Sequence, residues 1–257
     1  MAVHVFRDAD VFADGQELTG QVRATSLSYG AEPLDATVLN STTRLFVGGL
    51  KTVAMSHEGF WFANTTASTD ALDSARFAEI GTSGTVVTIA AGGTEGSRSF
   101  FFESVVTDYT PRGTVGELFG YNVSAAANSG PGLVRGTVLW NSTAVSSTQV
   151  AAGASTSEAL NLTDSSSKKT TYGALHILTA TSSGATGLQV LVQSDNSSAF
   201  GSPTTVFTFT LSTAAGAGAG EWKSGTGSTD TWFRATNAAA SSNSRYAVHL
   251  SIGFSSN

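Results

Sequence analysis

The sequence predicts a mainly β protein, and three observations carry this prediction. Short segments rich in Val, Thr, Phe and Tyr recur along the chain, and Gly, Pro or Asn residues bound them. In the C-terminal half, several segments alternate between apolar and polar residues with a period of two. Charged residues make up 12% of the chain, against roughly 25% in a typical soluble domain. Low charge with many small hydroxyl residues is typical of β surfaces that pack on each other.

The N-terminal half contains six candidate strands, separated by turn-forming residues. They are residues 22–29, 44–62, 85–91, 99–111, 118–127 and 134–140. Residues 68–81 differ, because Ser68 or Thr69 can cap a helix and the apolar residues that follow lie near helical spacing. Gly81 stands where a left-handed residue commonly ends a helix. We therefore predict one short helix between the second and third strands.

The C-terminal half is predicted to be β throughout. Candidate strands cover residues 172–181, 188–195, 205–212 and 246–254. The last strand places Tyr246, Val248, Leu250, Ile252 and Phe254 on one face and Ala247, His249, Ser251 and Gly253 on the other. This alternation predicts a sandwich in which each sheet has one solvated face. The glycine-rich residues 216–222 are predicted to be a flexible loop, because no helix follows them.

Charge and sequence complexity predict a domain boundary near residue 145. Residues 1–144 hold 8 Lys and Arg against 14 Asp and Glu, whereas residues 145–257 hold 5 of each kind. The change falls within residues 141–162, a polar run of low complexity that is typical of a linker or a docked loop. We therefore predict a β domain at 1–144 and a second β-sandwich at 145–257.

The composition argues against several functional classes. The chain has no cysteine, which excludes disulfides and thiolate metal sites. A formal net charge of −6 gives no basic footprint for specific nucleic-acid binding. No apolar run approaches the length of a membrane span, and the first residues lack the apolar stretch of a signal peptide. We therefore expect no membrane association.

The sequence contains no motif that predicts a catalytic, cofactor or metal site. Its four histidines lack metal-ligand spacing, so structural or surface histidines are predicted, with His249 on a polar face. No Gly-x-Ser-x-Gly motif is present. The acidic residues of 7–17 lack the Gly and Glu positions of a calcium loop, which favours a solvated acidic loop. An enzyme is therefore the least favoured class, although a carboxylate pair of the glycosidase type stays open.

Two tryptophans of the C-terminal half, Trp222 and Trp232, leave two interpretations open. Together with Phe233 they suit a surface platform that stacks on sugar rings. They equally suit the aromatic core of a sandwich, and we favour the core. The surface alternative predicts weak binding to host-surface glycan.

Residues 15–61 carry a resemblance to a known family. A Leu-Thr-Gly start leads to a Ser-rich strand, a polar loop with Arg44, a Gly-Gly-Leu-Lys turn and an alternating strand that ends in Gly-Phe-Trp. The helix predicted at 68–81 follows, and residues 96–139 continue the pattern. In this order the segments resemble the tail tube (major tail) proteins of long-tailed bacteriophages. The match to residues 145–257 is thinner, and this part looks like an outer β domain that some tail proteins carry.

The resemblance implies a tail-tube-like β-sandwich or half-barrel with one short helix, followed by a second β-sandwich on the outer surface. It implies a structural virion protein that is made in the host cytoplasm and forms rings, with six-fold symmetry, that stack into the tail tube. DNA would pass through this tube without specific binding, and the acidic first half would repel its backbone. Tail terminator, tape measure and baseplate proteins are the implied partners, and no cofactor is implied.

Residues 34–61 are the predicted assembly segment of such a ring. Its charged residues would set the register between subunits by pairing, and its glycine pair would allow a tight bend. The residues concerned are Asp35, Arg44, Gly48, Gly49, Leu50 and Lys51. The alternatives are an ordinary hairpin of a monomeric sandwich, a capsid decoration protein, and a carbohydrate-binding adhesin module.

Overall fold

The fold is mainly β, as the sequence predicts. In the computed structural model, the described residues form sixteen strands and one short helix. The described ranges are 9–40, 42–61, 72–128, 130–142, 150–151, 156–162, 170–181, 188–211, 218–239 and 245–255. Among these residues, no helix is long and apolar enough to cross a membrane.

The strands fall where segments rich in β-branched and aromatic residues lie between turn residues. They are β1 (Asp10–Ala13), β2 (Gln16–Glu17), β3 (Val22–Asp35), β4 (Phe46–Phe60), β5 (Ser83–Ala90), β6 (Arg98–Arg112), β7 (Gly120–Ala127), β8 (Val134–Ser142), β9 (Val150–Ala151), β10 (Leu160–Asn161), β11 (Thr170–Thr181), β12 (Leu188–Asp195), β13 (Thr204–Leu211), β14 (Ala219–Thr226), β15 (Trp232–Ala239) and β16 (Arg245–Ser255). The helix α1 spans Leu72–Ala78.

The described strands form two antiparallel sheets. The larger sheet has twelve strands, with the order β14-β11-β16-β8-β6-β5-β1-β2 along its main path. The smaller sheet has four strands in the order β10-β15-β12-β13. The backbone N–H of Gly220 in β14 donates to Asp14 Oδ1 at 3.1 Å, just after β1. The larger sheet therefore curls until its two ends meet.

Three clusters of buried apolar side chains fill this arrangement. The first lies between the two sheets and includes Leu175, Val192, Phe209, Phe233 and Leu250. The second covers the outer face of the N-terminal strands and includes Val11, Met55, Ile89, Phe102 and Val123. The third lies inside the curl and includes Val86, Phe101, Val134, Tyr172 and Ala174. Because neighbouring residues of a strand point to opposite faces, strands such as β5 supply two clusters at once.

The interior of the curl contains two histidines. His176 and His249 are both fully buried, and the ring of Phe12 stacks on His249 with 4.0 Å between centroids. The prediction that His249 lies on a solvated face is therefore wrong. Both faces of β16 are buried, because the curl covers one and the smaller sheet covers the other. The predicted acidic loop at 7–17 is also wrong for residues 10–13, which form β1.

Other local predictions differ from the structure in extent. α1 is shorter than the predicted helix, and residues 68–71 lie outside the described residues. Gly81 has the left-handed φ of +74° that its predicted place after the helix requires. The predicted loop at 216–222 is wrong for residues 219–222, which belong to β14. A glycine-rich sequence forms a strand here because Gly220 approaches the Asp14 side chain closely, with its Cβ position 2.8 Å from Oδ1.

The boundary near residue 145 stays a prediction. β8 ends at Ser142 and pairs on one side with β6 of the first half. On its other side it pairs with β16, the last strand of the second half. The larger sheet is therefore continuous across the two predicted domains.

Candidate assembly surface

The hairpin of β3 and β4 is the most exposed part of the described structure. β3 pairs only with β4 there, and β4 pairs with β7 only from Ala54 onward. Residues 30–40 and 42–52, which we call the arm, therefore have no third strand beside them, and nearly all of them are exposed. At about 3.3 Å per residue, the eight residues from Phe46 to Val53 carry the hairpin about 26 Å beyond its last contact with β7.

The arm exposes a row of large apolar side chains. Leu39 is 109% and Leu50 is 83% exposed. The other members are Leu34, Val38, Leu45, Phe46 and Val47. An isolated two-stranded hairpin is marginally stable in water, and large exposed apolar patches mark protein interaction sites. The arm therefore has the properties of a surface that another protein covers.

The turn at the tip of the arm is built around Asp35. Its carboxylate accepts a hydrogen bond from the Thr37 N–H at 2.9 Å and another from the Thr37 hydroxyl. The Thr37 hydroxyl oxygen in turn accepts the Leu45 N–H at 3.0 Å. These bonds hold the pKa of Asp35 below its usual range. The predicted residue is therefore ionised and exposed, and it shapes the tip through local hydrogen bonds.

The predicted glycine pair lies inside β4 and not in the turn. The register between β3 and β4 shifts there, so that Gly49 and Leu50 together face Glu32. A Cβ at Gly49 would lie 2.8 Å from the Glu32 carbonyl oxygen, whereas a Cβ at Gly48 would meet nothing within 4 Å. The expected tight bend is therefore a β-bulge, which needs glycine at one position and turns Leu50 outward.

The two predicted cations of the segment, Arg44 and Lys51, are exposed. Within the described ranges neither forms an ion pair with an acidic side chain. Their proposed pairing across subunits stays a prediction.

A second exposed surface lies at the opposite end of β4. A cleft of about 350 Å³ opens there between the start of β3, the end of β4 and the turn from β6 to β7. We call it the base cleft, and its side chains include Arg23, Glu58, Phe60, Arg112, Glu117 and Leu118. Arg112 and Glu58 form an ion pair. Leu118 is 77% and Phe60 is 48% exposed.

The sequence analysis missed the base cleft. It placed the strand start at residue 118, whereas β7 begins at Gly120. Residues 113–119 form the connecting turn, and Val115 within it is 103% exposed. The available signal was a turn between Gly113 and Gly120 that contains three apolar residues, Val115, Leu118 and Phe119. Loops that bury nothing are usually polar.

Helix α1 supports the end of β4 through polar contacts. Asp73 accepts hydrogen bonds from the Trp61 indole N–H at 3.0 Å and from the Tyr109 hydroxyl at 2.6 Å. Burial and the neighbouring Asp73 raise the pKa of Tyr109. The Trp61 ring also packs edge-on against Phe119, with 5.1 Å between centroids. The helix, the end of β4 and the wall of the base cleft are thus joined.

The same helix carries a buried charge that sequence reasoning did not find. Arg76 is 1% exposed and pairs with Glu79, with Nη1 and Oε2 2.7 Å apart. Its Nη2 also donates to Gln16 Oε1 at 3.2 Å. Burial raises the pKa of Glu79 to about 7, and burial followed by repulsion from Arg76 lowers the pKa of His57 to about 4. These groups anchor the helix to the sheet below it.

The two tryptophans of the second half occupy different surroundings. Trp222 is half-buried in β14, and its ring lies 5.6 Å from Phe101 and 5.7 Å from Tyr172. Trp232 begins β15 and is also half-buried. Binding of glycan by these residues stays a prediction.

The solved structures that this chain resembles come from gene transfer agents, from the phage SPP1 and from the baseplates of a phage and of an anti-feeding prophage. A chain of a native gene transfer agent virion is 21% identical, with a TM-score of 0.40 over 50% of this chain and 96% of that one. A chain of the tail of an empty gene transfer agent particle, refined with C6 symmetry, is 19% identical, with a TM-score of 0.35 over 43% and 79%. The SPP1 Dit protein, described as a hub of the adsorption apparatus, is 11% identical, with a TM-score of 0.37 over 95% and 98%.

These structures do not single out the tail tube among tail components. No protein-family model matches the sequence, and no curated protein matches it.

Proposed function

We propose that the chain is a structural protein of the virion of a long-tailed phage, and that it assembles with copies of itself into rings that form the tail tube. The observation that carries the proposal is the arm, a hairpin without a third strand that exposes seven large apolar residues. In a monomer, the apolar side chains of this hairpin remain exposed to water. A ring of copies covers them.

The unpaired strand edges of the arm support the same conclusion. β3 has a partner on one side only in the described structure, and β4 lacks a second partner before Ala54. Exposed edges are sites of uncontrolled association unless another strand or layer covers them. Closure of strands from several copies into a barrel removes these edges. The expectation that copies form rings, and that these rings stack, comes from the resemblance of residues 15–61 to tail tube proteins.

The charge distribution suits a channel that DNA crosses. Residues 1–144, a range that includes the arm, hold 14 acidic residues against 8 basic ones. A duplex with closely spaced phosphates is repelled by an acidic wall, so it slides without binding. In this role the protein works through assembly, without a reaction of its own, and its partners are the tail terminator, tape measure and baseplate proteins.

Negative-stain electron microscopy of the purified chain, with sizing chromatography of the same sample, tests this function. We expect hollow rods with a pore wide enough for duplex DNA, and their symmetry gives the ring number. Rods indicate a tube, whereas isolated annuli indicate a single ring such as a hub and would contradict the stacking. A Leu39→Asp, Leu50→Asp variant, changed only at exposed residues of the arm, should be monomeric. A wild-type chain that stays monomeric when concentrated, and does not enter tails, would contradict self-assembly.

A further inference from the structure

We propose that the tip of the arm of one copy docks in the base cleft of a second copy. The proposal rests on the self-assembly proposed above and specifies which two surfaces meet. Both surfaces are exposed, both carry apolar side chains, and both end the same pair of strands.

The position of the two surfaces excludes a contact within one chain. Asp35 at the tip and Arg23 at the cleft are separated by twelve steps along β3, which is about 40 Å of extended strand. An arm of this length points away from its own cleft. A second copy displaced along the strand direction brings its cleft to the tip. The contact joins two different surfaces, so it repeats from copy to copy and generates a closed ring or an open stack.

The apolar groups of the two surfaces are complementary in kind and amount. The tip presents Val38 at 67%, Leu39 at 109% and Leu45 at 56% exposure. The cleft, with about 350 Å³ of space, is flanked by Phe60 and Leu118. This volume is at the lower end of the roughly 300–1,000 Å³ typical of ligand pockets. The cleft therefore has room for one or two aliphatic side chains, which the tip supplies.

The charged groups of the two surfaces are also complementary. At the cleft, Arg112 is already paired with Glu58, whereas Arg23 and Glu117 form no ion pair within the described ranges. At the tip, Asp35 is ionised, and Arg44 forms no ion pair with an acidic side chain that the structure describes. A docked tip matches Asp35 with Arg23 and Arg44 with Glu117, which fixes the register of the contact. A second copy is the occupant that brings both charges and the leucines together.

Site-directed cross-linking tests the contact directly, because the chain has no cysteine of its own. A Leu39→Cys variant is mixed with a Leu118→Cys variant over a range of concentrations and treated with a short bis-maleimide. Both side chains are exposed, so neither change disturbs a core. We expect cross-linked dimer at about tenfold the yield of a mixture of Leu39→Cys with Ser198→Cys, since docking raises the effective concentration of the pair. Equal yields in the two mixtures would overturn the proposal.

A charge exchange tests the register independently. Arg44→Glu and Glu117→Arg should each weaken self-association by about tenfold or more, because each places like charges together. The double variant should restore much of the association. Single variants that associate like the wild type, or a double variant no better than the singles, would contradict the pairing.

The two proposals fail in different ways. A wild type that forms rings while the cysteine pair does not cross-link keeps the proposed function and removes this contact. A chain that neither assembles nor cross-links removes both.

Discussion

The buried histidines predict a specific loss of stability in acid. His176 accepts a hydrogen bond on Nδ1 from the Gly15 N–H at 3.3 Å, and its Nε2 lies 2.8 Å from the Thr88 hydroxyl oxygen. The first bond requires an unprotonated Nδ1, so Nε2 carries the proton and donates it to Thr88. Protonation of Nδ1 would set two N–H groups against each other in a space that water does not reach. Burial accordingly lowers the pKa of His176 to about 3.

The size of the effect follows from the two pKa values. In the unfolded chain the pKa returns to about 6.5. The free energy of unfolding therefore has the full contribution of His176 above pH 6.5 and loses it as the pH falls toward 3. At pH 5 the unfolded chain binds a proton that the folded chain does not, which lowers the free energy of unfolding by about 2 kcal/mol. Complete protonation below pH 3 would raise this loss to about 5 kcal/mol.

Urea unfolding at pH 8 and pH 5 measures this effect when the wild type is compared with His176→Gln. Glutamine offers an acceptor and a donor but takes up no proton. Between pH 8 and pH 5 the wild type should lose about 2 kcal/mol more than this variant. The comparison is needed because Glu79 has the opposite pH dependence. Its pKa is raised to about 7, so its contribution to the free energy of unfolding falls as the pH rises from 4.5. Thr88→Val keeps the histidine and should retain the wild-type pH dependence. Equal pH dependence in wild type and His176→Gln would refute the reasoning.

Three further substitutions test the assembly surface and the body of the fold independently. Gly49→Ala should distort the bulge and reduce assembly in sizing chromatography, because its Cβ would lie 2.8 Å from a backbone oxygen of β3. The matched Gly48→Ala variant, with open space around its Cβ, should assemble like the wild type. Equal assembly of the two variants would contradict the role of the bulge. Phe209→Ala should lower the free energy of unfolding by about 3–5 kcal/mol in urea, because this ring is fully buried between the sheets; a loss below 1 kcal/mol would refute its place in the core. Asp73→Ala should lower it by about 1–3 kcal/mol, because an indole and a phenol lose their shared acceptor; Asp73→Asn, which keeps an acceptor, should lose less.

The positions of most strands could be predicted because they depend on local pattern. Residues 188–195 form β12 over the predicted range, and residues 246–254 fall within β16. The short helix could be predicted from the spacing of its apolar residues and from Gly81, for the same reason. These features require only that neighbouring residues agree on a period and that a turn residue ends the element.

The burial of charge and polarity could not be predicted, because it depends on pairing between distant strands. His249 alternates with apolar residues in a pattern typical of a solvated face. It is buried because β14 meets the β1–β2 turn across 206 residues of sequence, through the hydrogen bond from Gly220 to Asp14. Arg76 likewise stands in an ordinary helical pattern, and only the strands beneath α1 make it a buried ion pair. No local period carries this information.

The assembly surface lies between these two cases. The sequence shows that the segment 34–61 is rich in apolar residues. A strand pattern, however, cannot distinguish a side chain that faces a core from one that faces another copy. In the structure, the difference is the missing third strand along the arm. The base cleft was not predicted at all, since it combines three segments that the sequence keeps apart.

The energetics of the arm favour a closed ring over isolated pairs of copies. Covering a leucine fully contributes about 1.5–3 kcal/mol, so the one or two side chains that the cleft admits supply roughly 1.5–6 kcal/mol to a single contact. Association of two copies costs about 4–15 kcal/mol in lost translational and rotational freedom. One contact is therefore weak by itself. In a ring the last contact closes between copies that are already held together, so it adds its full stabilisation without a further loss of freedom. A chain with such an arm should remain largely monomeric when dilute and assemble abruptly once rings can close.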